Sequence, residues 1–161
     1  LSLEDCDLLG QAALNFYLLS CRPNSSIKFN PDESLAFTGK TGPYVMYQYV
    51  RTNKILESAE ELDTQNVDFN LLTTPSEHQL LMALTSFTQK VRNARKNLDQ
   101  TLIADFVYEL AGAFSNFYTE CRILNAETED LKQARLALTK MTNTLLAQGM
   151  DLLGIRRVER M

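Results

Sequence analysis

Tryptophan is absent from the 161 residues, and histidine occurs once, at position 78. A Ser/His/Asp or Cys/His catalytic site would have to use His78, which falls in the first turn of an expected helix between Glu77 and Gln79. A solvated imidazole is the simpler state there. Without a second histidine or a Glu-x-x-His pair, neither zinc nor di-iron chemistry has a ligand set. Cys6, Cys21 and Cys121 are an odd number at unrelated spacings, which excludes a disulfide framework and fits a reducing, cytoplasmic setting. No apolar run approaches the roughly 18 residues of a membrane-spanning helix, and "LSLEDCDLLG" carries acids where a secretory signal carries a basic end. The phosphate-cradling loop Gly-x-x-x-x-Gly-Lys-Ser/Thr is missing, because "GKTG" at 39–42 lacks the upstream glycine and reads as a turn. Positive charge is in deficit, with 16 basic against 20 acidic side chains and a net charge of -4. Any nucleic-acid contact must therefore be a local patch.

What remains is a helical chain. At 45 % hydrophobic and 22 % charged residues it has the composition of one globular domain plus a remnant. Apolar residues recur at three- and four-residue steps in nearly every segment. Residues 4–20 place Leu9, Ala12, Ala13 and Phe16 on one face, and "SIKFN" follows with the Ile27/Phe29 alternation of a short strand. The break "TGKTGP" at 38–43 marks the expected domain boundary, with Pro43 in the first turn of the next helix.

From residue 43 the pattern predicts an all-α antiparallel bundle of four long helices. The first, 43–62, buries Val45, Tyr49, Thr52, Leu56 and Ala59. The second starts at Ser76 as N-cap, runs through Leu80, Leu84, Phe87 and Val91, and ends in Arg92, Arg95 and Lys96. The third, about 100–120, is rich in phenylalanine, and the fourth starts near Ala126 and buries Leu131, Ala134, Leu138, Met141 and Leu145. The acids Glu57, Glu60, Glu61 and Asp63 read as a solvated helix end rather than catalytic carboxylates.

The helix from residue 43 has a second face. At about 100° per residue, Tyr44, Tyr47, Gln48, Arg51 and Lys54 gather on a flank set apart from the apolar stripe. Aromatic faces and cations on one flank are what an unpaired RNA loop requires, rings for bases and charge for phosphates. The competing reading packs Tyr44 and Tyr47 against a neighbouring helix with Arg51 lying over them. Similar mixtures recur in Tyr118 with Arg122, Lys132 with Arg135, and Arg156, Arg157 and Arg160.

Four stretches carry a family resemblance: "LAFTGKTGPYVMYQYVRTNKIL" (35–56), "YELAGAFSNFYTECRIL" (108–124), "ARLALTKMTNTLLAQGMDLLGI" (134–155) and the terminal "VERM". In this order they resemble the C-terminal part of the arginyl-tRNA synthetases. The resemblance implies a DALR-type anticodon-binding helical domain of a class I synthetase over residues 43–161, with 1–42 as the end of the catalytic domain and a helix-strand remnant. It implies arginine tRNA as partner, with Tyr44, Tyr47 and Arg51 on the helix that meets the anticodon loop, whereas Gln48 is a candidate from the helix flank alone. By the same matching, Tyr118, Arg135 and Met161 complete the grip. Met46 departs from the family, which has glutamine between the two tyrosines.

The His-x-Gly-His and Lys-Met-Ser-Lys motifs that handle ATP in class I synthetases are missing, and "KMTN" at Lys140 lies inside a core-facing helix pattern. Catalytic residues are therefore expected upstream of Leu1, with no cofactor in this piece and ATP with magnesium used by the full-length parent. An initial leucine in place of methionine agrees with a piece of something longer. Leu8, Leu9, Phe16 and Leu19 are then expected to be partly uncovered and to favour self-association. Two alternatives stay open, a helical protein-interaction module and the tRNA-binding domain of a different synthetase.

Overall fold

The computed structural model describes residues 3–59 and 67–158. Among them seven α-helices succeed one another: α1 (Leu3–Leu19), α2 (Pro31–Ser34), α3 (Gly42–Glu57), α4 (Pro75–Thr85), α5 (Phe87–Asn97), α6 (Thr101–Glu120) and α7 (Glu129–Leu152), with a 3-10 turn at Phe69–Leu71. The all-α expectation holds. No strand occurs among the described residues. Ile27 and Phe29 instead lie on an irregular, exposed segment held by Tyr17, whose hydroxyl donates to the Lys28 carbonyl and whose ring meets Phe29 edge-on at 5.2 Å. Alternation alone does not make a strand where no second strand is present to pair with it.

The axis of the bundle is α6. Ten of its 20 residues are buried, more than the single stripe of a surface helix, because α3, α4, α5 and α7 all pack on it. Phe106, Phe114 and Phe117 fill the space between α6 and its neighbours, against Leu136, Leu138, Leu146 and Met150 of α7, Leu80 and Leu84 of α4, and Met46 of α3. Each such side chain contributes about 1.5–3 kcal/mol of burial. Gly149 lies inside α7 against Val107 of α6, where a Cβ would collide with Val107 Cγ1. It is a close-approach residue between the two helices.

The expected second helix is two helices. Ser86 donates both its N–H (3.2 Å) and its hydroxyl (2.7 Å) to the Ala83 carbonyl, and Thr85 back-bonds to Met82. Such local bonding interrupts the helix at Ser86, and Phe87 at the start of α5 packs against Phe106 with ring centroids 5.1 Å apart. The N-cap of α4 is Thr74, not Ser76: Pro75 takes the first helical position, and Thr74 and Glu77 form a reciprocal capping box. Met141, expected in the core, is exposed on α7, whereas His78 is exposed as the sequence indicates.

Helix α1 joins the same core. Leu9, Ala12, Ala13 and Phe16 are buried against α3, and Gly42 at the start of α3 abuts the Ala12 backbone, where a Cβ has no room. The tail after α7 closes over this junction, with Asn15 donating to the Gly154 carbonyl at 3.0 Å and Arg156 to Gln11 at 2.7 Å. Leu9 and Phe16 are therefore covered, contrary to expectation, and Leu8 and Leu19 are half-buried. The uncovered apolar side chains lie on the opposite face of α1 and beyond it: Leu14, Leu18, Ile27, Phe29, Leu35 and Phe37.

Candidate nucleic-acid interface

Thr41 starts α3 as its N-cap, accepting from the Tyr44 N–H at 3.2 Å, and Pro43 sits in the first turn as predicted. The helix is enclosed by α1, α6 and α7, so its buried arc is wider than one stripe. Val45, Met46, Gln48, Val50, Thr52 and Ile55 are all buried, while Tyr49, Leu56 and Ala59 are half-buried. Gln48, placed on the exposed flank by the sequence pattern, is only 2 % exposed.

Tyr47 and Arg51 remain outside, one turn apart on the same flank. Across from them, Tyr118 stands near the end of α6, and Tyr47 and Tyr118 are 39 % and 44 % exposed. The Arg51 guanidinium lies between the two rings, its carbon 4.5 Å from each centroid. It donates from Nη2 to the Tyr47 hydroxyl at 2.7 Å and from Nη1 to Gln48 Oε1 at 3.2 Å. All of these partners are neutral, so the positive charge stays uncompensated by them. Behind Tyr118 stands Phe114, at 6.3 Å between centroids, which makes that wall the firmer of the two.

The stack borders a hollow of about 360 Å³ lined by Tyr47, Val50, Arg51, Lys54, Ile55, Ser58, Tyr118 and Leu124. That size lies at the small end of ligand clefts, which run from about 300 to 1,000 Å³. Val50, Ile55 and Leu124 form its apolar floor, and Lys54, at the open side, adds a second cation. The sequence reading missed Leu124, which becomes a neighbour only through the turn after α6. The repeat Tyr47, Val50, Arg51, Lys54 on one flank was the available signal for the rest.

Other expected members lie elsewhere. Tyr44 is half-buried, with its ring 5.8 Å from that of Tyr108, as the packing alternative holds. Arg135 is a correction: it is buried, donates from Nε to Glu77 Oε1 at 2.7 Å and from Nη1 to the Arg122 carbonyl at 2.9 Å. Burial pushes the Glu77 carboxyl up, but the Thr74 backbone N–H, the Arg135 side chain and the Thr74 hydroxyl hold it below the usual carboxylate range. Arg157 is paired with Asp151 and also donates to the Ala147 carbonyl at 2.9 Å. Arg160 and Met161, like Glu60, Glu61 and Asp63, lie outside the described residues. Lys140 to Asn143 are part of α7, where Asn143 donates to Thr52 and Asn53 at 2.9 and 2.6 Å. That geometry is a helix-helix tie and does not fit a nucleotide-handling loop. Among the described residues no group of His, Cys, Asp and Glu is placed to hold a metal ion.

Fold and slot together define, over the described residues, an all-helical domain with a cationic, ring-walled hollow between α3 and α6. The DALR anticodon binding domain family matches residues 45–161, and the chain belongs to that family. Arginine–tRNA ligases of Treponema denticola and Clostridium kluyveri are 38 % and 37 % identical to it, over 92 % and 98 % of this chain. The chain spans only 26 % and 28 % of those relatives' lengths. The arginyl-tRNA synthetase of Thermus thermophilus superposes over 98 % of this chain and 27 % of its own, with a TM-score of 0.89 at 32 % identity. That of Plasmodium falciparum does so over 98 % of this chain and 28 % of its own, with a TM-score of 0.85 at 28 % identity.

Proposed function

We propose that this chain is the tRNA-binding C-terminal part of an arginine–tRNA ligase, and that the slot between α3 and α6 grips the anticodon loop of arginine tRNA. The observation that carries the reading is the Tyr47–Arg51–Tyr118 stack open to an apolar hollow. Unpaired bases find ring faces there, while Arg51 and Lys54 supply positive charge for the phosphates between them. Family membership and the two ligase relatives support the same partner. Within the larger enzyme these residues bind and orient the tRNA. The joining of arginine to it, with ATP and magnesium, belongs to the catalytic part of the longer chain. The exposed apolar side chains from Leu14 to Phe37 are then the natural seat of that part. A reducing cytoplasm suits the three free cysteines.

A second reading, a protein-interaction module, draws on the net charge of -4. Salt separates the two. Binding to arginine tRNA is expected to weaken linearly on a log-log plot of affinity against salt, with a slope of about -0.7 per single-stranded phosphate contact. A flat plot, or equal affinity for an arginine tRNA and an unrelated tRNA, contradicts the proposal.

A further inference from the structure

Three of the four cations of α5 stand without an acid among the described residues. Lys90 pairs with Glu109 at 3.1 Å, whereas Arg92, Arg95 and Lys96 are exposed and make no ion pair there. The helix carries no acid of its own, in a chain whose net charge is -4. Attraction to the helix C-terminus accounts for Arg95 and Lys96 in its last turn, but that effect fades within a turn and does not reach Arg92. Beside these cations, α5 and the end of α7 form a surface hollow of about 540 Å³. Its apolar lining is Phe87, Val91 and Leu152, the last 57 % exposed. Among its polar members Asp151 is already held by Arg157, so Arg92 sets the charge of the rim.

We infer that this groove seats an amphipathic helix of a partner protein, with apolar anchors in the hollow and glutamates or aspartates against Arg92, Arg95 and Lys96. The apolar lining and the cationic rim each match one face of such a helix. A phosphate backbone would meet the cations and leave Phe87, Val91 and Leu152 bare, and a lipid surface is too flat to enter the hollow. The site is separate from the RNA slot. Glu109, which ties α5 to α6, and Tyr118, the slot wall, lie about 180° apart around α6 at roughly 100° per residue, and the two hollows share no residue. A tRNA gripped at Tyr47 and Tyr118 therefore leaves α5 free for a second partner. Leu98, just past the cations, is 85 % exposed with φ +51°, a conformation unfavourable to leucine that no packing in this chain offsets. A helix laid along α5 to its C-terminus would shield it from water.

The test uses the intact chain, isotope-labelled for NMR, and a fluorescent synthetic peptide of about 18 residues with leucines at helical spacing and glutamates on both flanks. Saturable binding is expected, with shifts centred on Phe87, Val91 and Leu152 and none at Tyr47 or Tyr118. The same peptide with lysines for glutamates should bind at least about tenfold more weakly, and the triple variant Arg92→Glu, Arg95→Glu, Lys96→Glu should reverse that order. Leu152→Ser, at an exposed position, should weaken the glutamate peptide by about tenfold. Should the triple variant fail to fold, Leu152→Ser and the two peptides carry the test. Saturating arginine tRNA should leave the peptide's affinity unchanged. Absence of shifts in the groove, equal binding of the two peptides, or groove shifts caused by an RNA duplex or by phosphatidylserine vesicles in place of the peptide each overturn the inference. Displacement of the peptide by tRNA does so too. Loss of tRNA binding with peptide binding intact leaves it standing and counts against the slot alone.

Discussion

Replacing Arg135 by alanine should cost fold stability and leave RNA affinity alone. In the native chain its guanidinium satisfies Glu77 at 2.7 Å and closes the turn after α6 through the Arg122 carbonyl at 2.9 Å. Both side chains are withdrawn from water, the carboxylate completely. Glu127, at 3.7 Å but largely exposed, adds little. Removing the arginine strands a buried carboxylate, a loss of about 3–5 kcal/mol, which is a large part of the 5–15 kcal/mol typical of a domain. At roughly 2–4 °C per kcal/mol for a chain of this size, the melting temperature should fall by about 6–20 °C.

The double variant Glu77→Gln with Arg135→Met removes both charges and keeps the capping geometry at Thr74, so it should recover most of that loss. The pair also sets an acid limit. Because the folded-state pKa of Glu77 is depressed, its contribution is present above the usual carboxylate range and lost as pH falls through and below it. Calorimetry across pH, beside tRNA binding at neutral pH and below the variant's melt, measures all of these. An alanine variant that melts within a degree or two of the wild type refutes the buried-pair account. One that stays folded and loses tRNA affinity returns Arg135 to the interface.

Two further outcomes follow from the geometry. Leu98 caps α5 with φ +51° and is 85 % exposed, a left-handed conformation that costs a leucine about 1–2 kcal/mol and glycine nothing. Leu98→Gly should therefore raise stability by about 0.5–1 kcal/mol, read from a denaturant midpoint, and a lowered midpoint would show that the leucine packs. The apolar face of Leu14, Leu18, Phe29 and Phe37 should make the chain self-associate with rising concentration. Light scattering that stays monomeric in Leu18→Lys and in the wild type alike contradicts this.

Helix existence was legible wherever apolar residues kept a strict rhythm, as along α6 from Ile103 to Phe117. Where three helices enclose one, as at α3, one-stripe reasoning put Gln48 outside, because burial there is set by neighbours remote in sequence. Arg135 shows the same limit. Its charge and its place in the family pattern look like those of a surface ligand, and only the fold reveals that Glu77, 58 residues away, is its partner. The split at Ser86 was hidden for a different reason, since Phe87 and Val91 continue the helical spacing across the interruption. Tyr47 and Arg51 were readable because helical geometry alone sets them side by side, and Tyr118 joined them through the family pattern.

The central claim, that the two exposed tyrosines hold unpaired bases of tRNA, is tested most directly by filter binding of arginine tRNA to Tyr47→Ala with Tyr118→Ala. Each ring removed should cost about 1–3 kcal/mol, so the double variant should bind at least about 30-fold more weakly with its melting temperature preserved. Wild-type affinity in a folded double variant would contradict the account.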